Sequence, residues 1–70
     1  SMRDQLYLDI KDAVAGFEYW SANQLMRKFN IGYNRACWYI EYLVDDGILE
    51  SDIDHQGCRK TIQQTTKVPL

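Results

Sequence analysis

The chain has 70 residues, 46% of them hydrophobic and 26% charged, with a formal net charge of −2 and a pI near 5.1. A chain of this length buries one small core, so a second domain is excluded, and it is too apolar for disorder. No apolar run approaches the roughly 20 residues that span a bilayer and nothing resembles a signal peptide, so we expect a cytoplasmic module with no membrane role for this domain.

In chain order, Leu6, Ile10, Ala13, Val14 and Phe17 recur at helical spacing and predict an amphipathic helix from about residue 3 to residue 15, stopped by Gly16. Phe17-Glu18-Tyr19-Trp20 reads as a short extended piece. Ser21 precedes Gln24 by three residues, the spacing of a capping box, and opens a second helix. That helix carries Ala22, Leu25, Met26 and Phe29 on one side and Arg27 on the other, and ends at Asn30-Ile31-Gly32. A third helix is predicted over about 33–46, with Tyr33, Ala36, Tyr39, Ile40, Leu43 and Val44 as its apolar face. Its opposite side presents Asn34, Arg35, Trp38 and Tyr42, the last three spaced to form one exposed stripe. After Gly47, residues 48–50 and 60–62 read as the two arms of a β-hairpin whose tip, 51–59, is polar and acidic.

Two helices joined by a tight Gly-containing turn and followed by a hairpin make a winged helix-turn-helix, mainly α with a small β-hairpin. We expect the domain to span 3–62, with 63–70 a C-terminal tail or linker. Ser1-Met2 reads as a tag remnant, so the chain can be a piece of something longer.

Charge placement says more than the net charge. Residues 21–40 hold Arg27, Lys28 and Arg35 and no acid, whereas the flanking thirds are acidic. Cys37, Cys58 and the single His55 cannot close a four-ligand zinc site, and no Cys-x-x-Cys occurs, so we expect reduced thiols and no metal or cofactor. There is no Ser-His or Cys-His pairing that spacing supports, no phosphate-cradling Gly-rich loop and no paired carboxylates. We therefore expect no enzyme activity and no small-molecule substrate.

Residues 25–49, LMRKFNIGYNRACWYIEYLVDDGIL, closely resemble the C-terminal gamma domain of FtsK/SpoIIIE-type DNA translocases. The matching positions are Arg27, Phe29, Ile31, Gly32, Tyr33, Asn34, Arg35, Ala36, Ile40, Gly47 and Ile48, within a family core of Q-R-x-F-x-I-G-Y-N-R-A-A-R. The resemblance implies a winged helix that reads a short G-rich orienting sequence in duplex DNA, contacts a tyrosine recombinase, and serves DNA translocation and chromosome segregation. Two departures stand out: Cys37-Trp38 replaces the family's Ala-Arg, and the wing carries Asp52 and Asp54. Trp cannot offer guanine the bidentate fork that Arg does.

These readings assign candidate DNA contacts to Arg35 and Asn34 on the third helix, to Arg27 and Lys28 on the second as phosphate contacts, and to Arg59 and Lys60 at the wing base. Ser21 and Gln24 are candidate caps that also sit where a phosphate can be held. Gly32 is expected to serve the turn and Tyr33 to act as an aromatic prop. Trp38 is a candidate DNA contact and, with Tyr42, a candidate protein interface, including self-association. The two functions in competition are a sequence-preferring duplex-DNA-binding module and a protein-interaction module on the same fold that uses the exposed Trp38/Tyr42 stripe and the acidic wing.

Overall fold

The computed structural model describes residues 3–62. The tail expected at 63–70 and the tag remnant at 1–2 lie outside the described residues. In chain order the elements are α1 (Gln5–Val14), β1 (Tyr19–Trp20), α2 (Ala22–Phe29), α3 (Tyr33–Asp45) and β2 (Arg59–Lys60).

Asp4 caps α1, its carboxylate accepting the Tyr7 N–H at 3.1 Å. The buried face of α1 is Tyr7, Ile10 and Val14, with Leu6 and Ala13 at its margins. Two expectations change here. Tyr7, absent from the predicted face, is central to the core, because its hydroxyl donates to Asp46 Oδ2 at 2.6 Å and the ring can then be buried without an orphaned polar group. Phe17, expected on the helix face, is 56% exposed, because α1 ends at Val14 and the chain leaves the helical phase.

Trp20 turns the chain into α2, its ring buried and its indole N–H donating to the Val14 carbonyl at 3.2 Å. Ser21 caps α2 as expected, accepting the Gln24 N–H at 3.2 Å. Only this half of the capping box forms, and Gln24 Oε1 is buried without a partner. In the turn, Asn30 adopts the left-handed conformation (φ 54, ψ 51) and closes α2. Gly32, expected to serve the turn, lies in it with an extended backbone (φ −70, ψ 162) as the N-cap residue of α3. The αL strain falls on an Asn, one of the few residues that tolerate it.

Ala36, Tyr39, Ile40 and Leu43 form the buried side of α3, which packs on α2. Tyr33, expected on this apolar face, is instead 56% exposed, since it starts the helix at the mouth of an open groove. Gly47 (φ 77) ends α3 in a Schellman arrangement, Ile48 N–H donating to Leu43 O at 2.8 Å and Gly47 N–H to Val44 O at 3.0 Å.

The wing forms with a changed partner. Its arms meet through a bridge between Leu49 and Thr61, flanked by Glu50 N–H to Lys60 O at 2.8 Å and Ile62 N–H to Ile48 O at 2.9 Å. The regular ladder, however, joins β2 to β1, antiparallel, with Tyr19 opposite Lys60 and Trp20 opposite Arg59. Thr61 locks the junction, its N–H donating to Glu18 O at 2.8 Å and its hydroxyl to Phe17 O at 2.7 Å. The described residues thus form three helices and a two-stranded antiparallel sheet around one core, a winged helix.

Candidate nucleic-acid interface

A repeat of 3.6 residues per turn sends Asn34, Trp38 and Glu41 to the side of α3 opposite its core and puts Tyr33 and Cys37 on one flank. Trp38 is 52% exposed, and Asn34 and Glu41 are exposed with it. Cys37, one turn from Tyr33, is half-buried, and its thiol raises the Tyr33 phenol above its ordinary pKa. Between this side of α3 and the wing runs an open groove of about 310 Å³, lined by Tyr33, Cys37, Ile40 and Glu41 on one wall and by Ile53, Gly57 and Arg59 on the other. Ala22, the first residue of α2, also lines it.

The far wall is held by Asp54, whose Oδ1 accepts the Gln56 and Cys58 N–H groups at 2.9 Å each. Those bonds, Cys58's first, hold the Asp54 carboxyl below its usual pKa. Gly57 (φ 81) lets the tip reverse. Arg59 is half-buried with Nε unpartnered, and Lys60 beside it is exposed. Ser21 spends its hydroxyl oxygen on the α2 cap.

The remaining candidates lie elsewhere. Arg35 is turned toward the start of α1: its Nη2 donates to Tyr39 Oη at 3.2 Å and lies 3.9 Å from Asp4 Oδ2. The Tyr39 hydroxyl in turn donates to Asp4 Oδ1 at 3.2 Å. Tyr42, expected on an exposed stripe with Trp38, is half-buried. Its ring stands edge-on to Tyr7 with centroids 6.0 Å apart, and the Arg3 guanidinium lies 4.3 Å from its centroid. The stripe divides because Arg35 and Tyr42, seven residues and nearly two full turns apart, share the side that meets α1, while Trp38 lies about 40° to 60° further round and faces out.

Arg27 and Lys28 are exposed and make no ion pair among the described residues. With Gln24 they line a second depression whose other wall is Phe17 and Trp20. Of the residues singled out from sequence, Tyr33 and Arg59 therefore line the α3–wing groove, Asn34 and Trp38 are exposed on α3 outside that lining, Arg27, Lys28 and Gln24 line the second depression, and Arg35 and Tyr42 turn to α1.

Sequence reading missed Ile53 and Glu41 as groove residues. Ile53 did leave a signal, an isolated apolar residue between two acids in a polar run. The clamp in which Arg3 and Tyr7 both reach Asp46 left none.

Among the described residues no cluster of His, Cys, Asp or Glu is placed to hold a metal ion. No described helix is long and apolar enough to cross a membrane. No curated protein and no solved structure matches the chain. The family model described as the Ftsk gamma domain, by contrast, matches residues 1–64, a span that takes in all three helices and the wing, and agrees with the I-G-Y-N-R-A run at the start of α3. The chain belongs to the FtsK gamma domain family, whose winged helix is a DNA-binding module.

Proposed function

We propose that residues 3–62 form a duplex-DNA-binding module that lays α3 in the major groove and sets the wing base on the flanking backbone. The observation that carries this reading is the outward side of α3, where Asn34 and Trp38 are exposed, on a helix that shares a groove with Arg59 at the wing base. Asn matches adenine in the major groove, and apolar side chains meet the thymine methyl. Arg59 and Lys60 supply backbone contacts, whereas Arg35 anchors the helix through Asp4 and Tyr39 and adds its charge to the field. Arg27 and Lys28 act through the same field, from the depression that α2 shares with Phe17 and Trp20.

The family's G-rich target is the first sequence to test, and its cytoplasmic role in DNA translocation and chromosome segregation is the setting we propose. The domain itself binds and carries out no reaction. The test is a titration with G-rich and scrambled duplexes at two salt concentrations. With so few cations on the interface, log affinity should fall with log salt at a slope of about −3 to −4. A salt-independent signal, or none, overturns the reading.

One observation favours a second reading. Trp38 and Tyr33 are both more than half exposed on α3, and exposed aromatics suit a protein interface. On that reading the partner is a tyrosine recombinase of the kind the family contacts, or a second copy, and duplex DNA leaves the Trp38 fluorescence unchanged.

A further inference from the structure

The wing tip and the Phe17 depression are unlike surfaces of complementary charge, one an apolar residue between two acids and the other two aromatic rings beside two cations. Phe17 is 56% exposed and meets Trp20 edge-on at 5.3 Å between centroids. The two rings floor an open depression of about 360 Å³, which Gln24, Arg27 and Lys28 complete. Both cations lack a counter-ion among the described residues, and Glu18, next to Phe17 in sequence, does not line the depression. Elsewhere on the chain, Ile53 is 57% exposed and stands between Asp52 and Asp54 in a tip that is exposed from Ser51 to Gly57. The two hydrogen bonds to Asp54 Oδ1 fix that tip in advance, which lowers the entropy lost on docking.

We propose that the depression is the docking site for the wing tip of a second copy of this chain, with Ile53 of one copy seated on Phe17 and Trp20 of the next and Asp52 and Asp54 meeting Arg27 and Lys28. Each copy carries one tip and one depression. The contact is therefore heterologous: it does not close on itself, and it builds head-to-tail rows. A single apolar knob with two ion pairs lies at the small end of interface sizes, so the association is weak and salt-sensitive. It does not rest on the DNA-binding reading, and its test contains no DNA.

The test is sedimentation velocity on the whole chain, from about 10 µM to about 1 mM, at low and high salt. The weight-average sedimentation coefficient should climb with concentration and climb less in high salt. Two variants change only exposed positions: Arg27→Glu with Lys28→Glu spoils the depression, and Ile53→Ser removes the knob. Each alone should weaken self-association at least about tenfold with an unchanged melting temperature. Mixed in equal amounts, they should associate again but stop at a heterodimer, because only one intact tip and one intact depression remain per pair. A monomer at every concentration overturns the proposal. So does association that either variant retains, or association lost in both variants that the mixture does not restore.

Discussion

Gly32 has room for a side chain that it does not carry. A Cβ there would meet no atom within 4 Å, its φ of −70 suits any residue, and α3 starts on it without a side-chain cap. Serine should cap α3 better, so Gly32→Ser is expected to stabilise the fold by a few tenths to about 1 kcal/mol. If DNA backbone approaches the start of α3, the same change should weaken duplex binding. Urea unfolding and a duplex titration on the same sample decide it, and binding that stays level would mean that nothing comes close to Gly32. Trp38 gives the reciprocal case. It is exposed where the family keeps a cation, so Trp38→Arg should leave the melting temperature nearly unchanged and tighten G-rich duplex binding about tenfold, the yield of one good contact. Unchanged affinity would place Trp38 off the groove-facing surface. A drop of many degrees in melting temperature would give it a packing role. Helical phase alone was enough to send Asn34 and Trp38 outward. Nothing local signalled that Arg35 would turn to Asp4, because that contact spans 31 positions and depends on where α1 docks.

The docking of α1 is the element-scale feature that periodicity could not show. Two polar couplings hold it, one from Arg3 and Tyr7 to Asp46 beyond the end of α3, the other from Asp4 to Tyr39 and Arg35 near its start. Both carboxylates titrate below the ordinary aspartate value of 3.8, Asp46 chiefly through its hydrogen bond from Arg3 and then from Tyr7, and Asp4 chiefly through the Tyr7 N–H. A folded-state pKa lower than the unfolded one means that the unfolded chain binds protons first. The stabilisation is therefore complete well above pH 3.8 and is lost as pH falls from there through the lowered folded values. Thermal melts between pH 7 and pH 2 should show a level region and then a decline below about pH 4. Asp46→Asn should lower the level region and flatten the decline, and an unaltered acid limb would mean that other carboxylates carry it. The sheet was only half legible for a related reason. Sequence marked the wing's two arms, but a two-residue strand such as β1 has no alternation to read, and its pairing with β2 is set by distant hydrogen bonds at Thr61.

For the whole molecule, the order of elements was legible because its stops are local: Ser21 caps, Asn30 turns left-handed, and Gly47 closes α3. The harder question is how a chain of net charge −2 would hold a polyanion, as the proposed function requires, and the answer depends on the wing. Arg59 and Lys60 lie at its base, but Asp52 and Asp54 lie at its tip, so a wing that follows the DNA backbone brings attraction and repulsion together. The two acids are not equivalent. Asp54 holds the turn through its two accepted hydrogen bonds, and replacing it would loosen the tip and confound the result. Asp52 makes no hydrogen bond or ion pair among the described residues, so its charge can be changed with the fold intact. Asp52→Lys replaces a repulsion with an attraction at one point. At protein concentrations low enough to keep the chain monomeric, it should tighten binding to G-rich and scrambled duplexes by a similar factor. The salt slope should also steepen by up to about 1, as one further phosphate is neutralised. A gain confined to one sequence would mean that the tip reads bases. No gain at all, with the melting temperature unchanged, would mean that the wing tip points away from DNA and is left free to meet another copy.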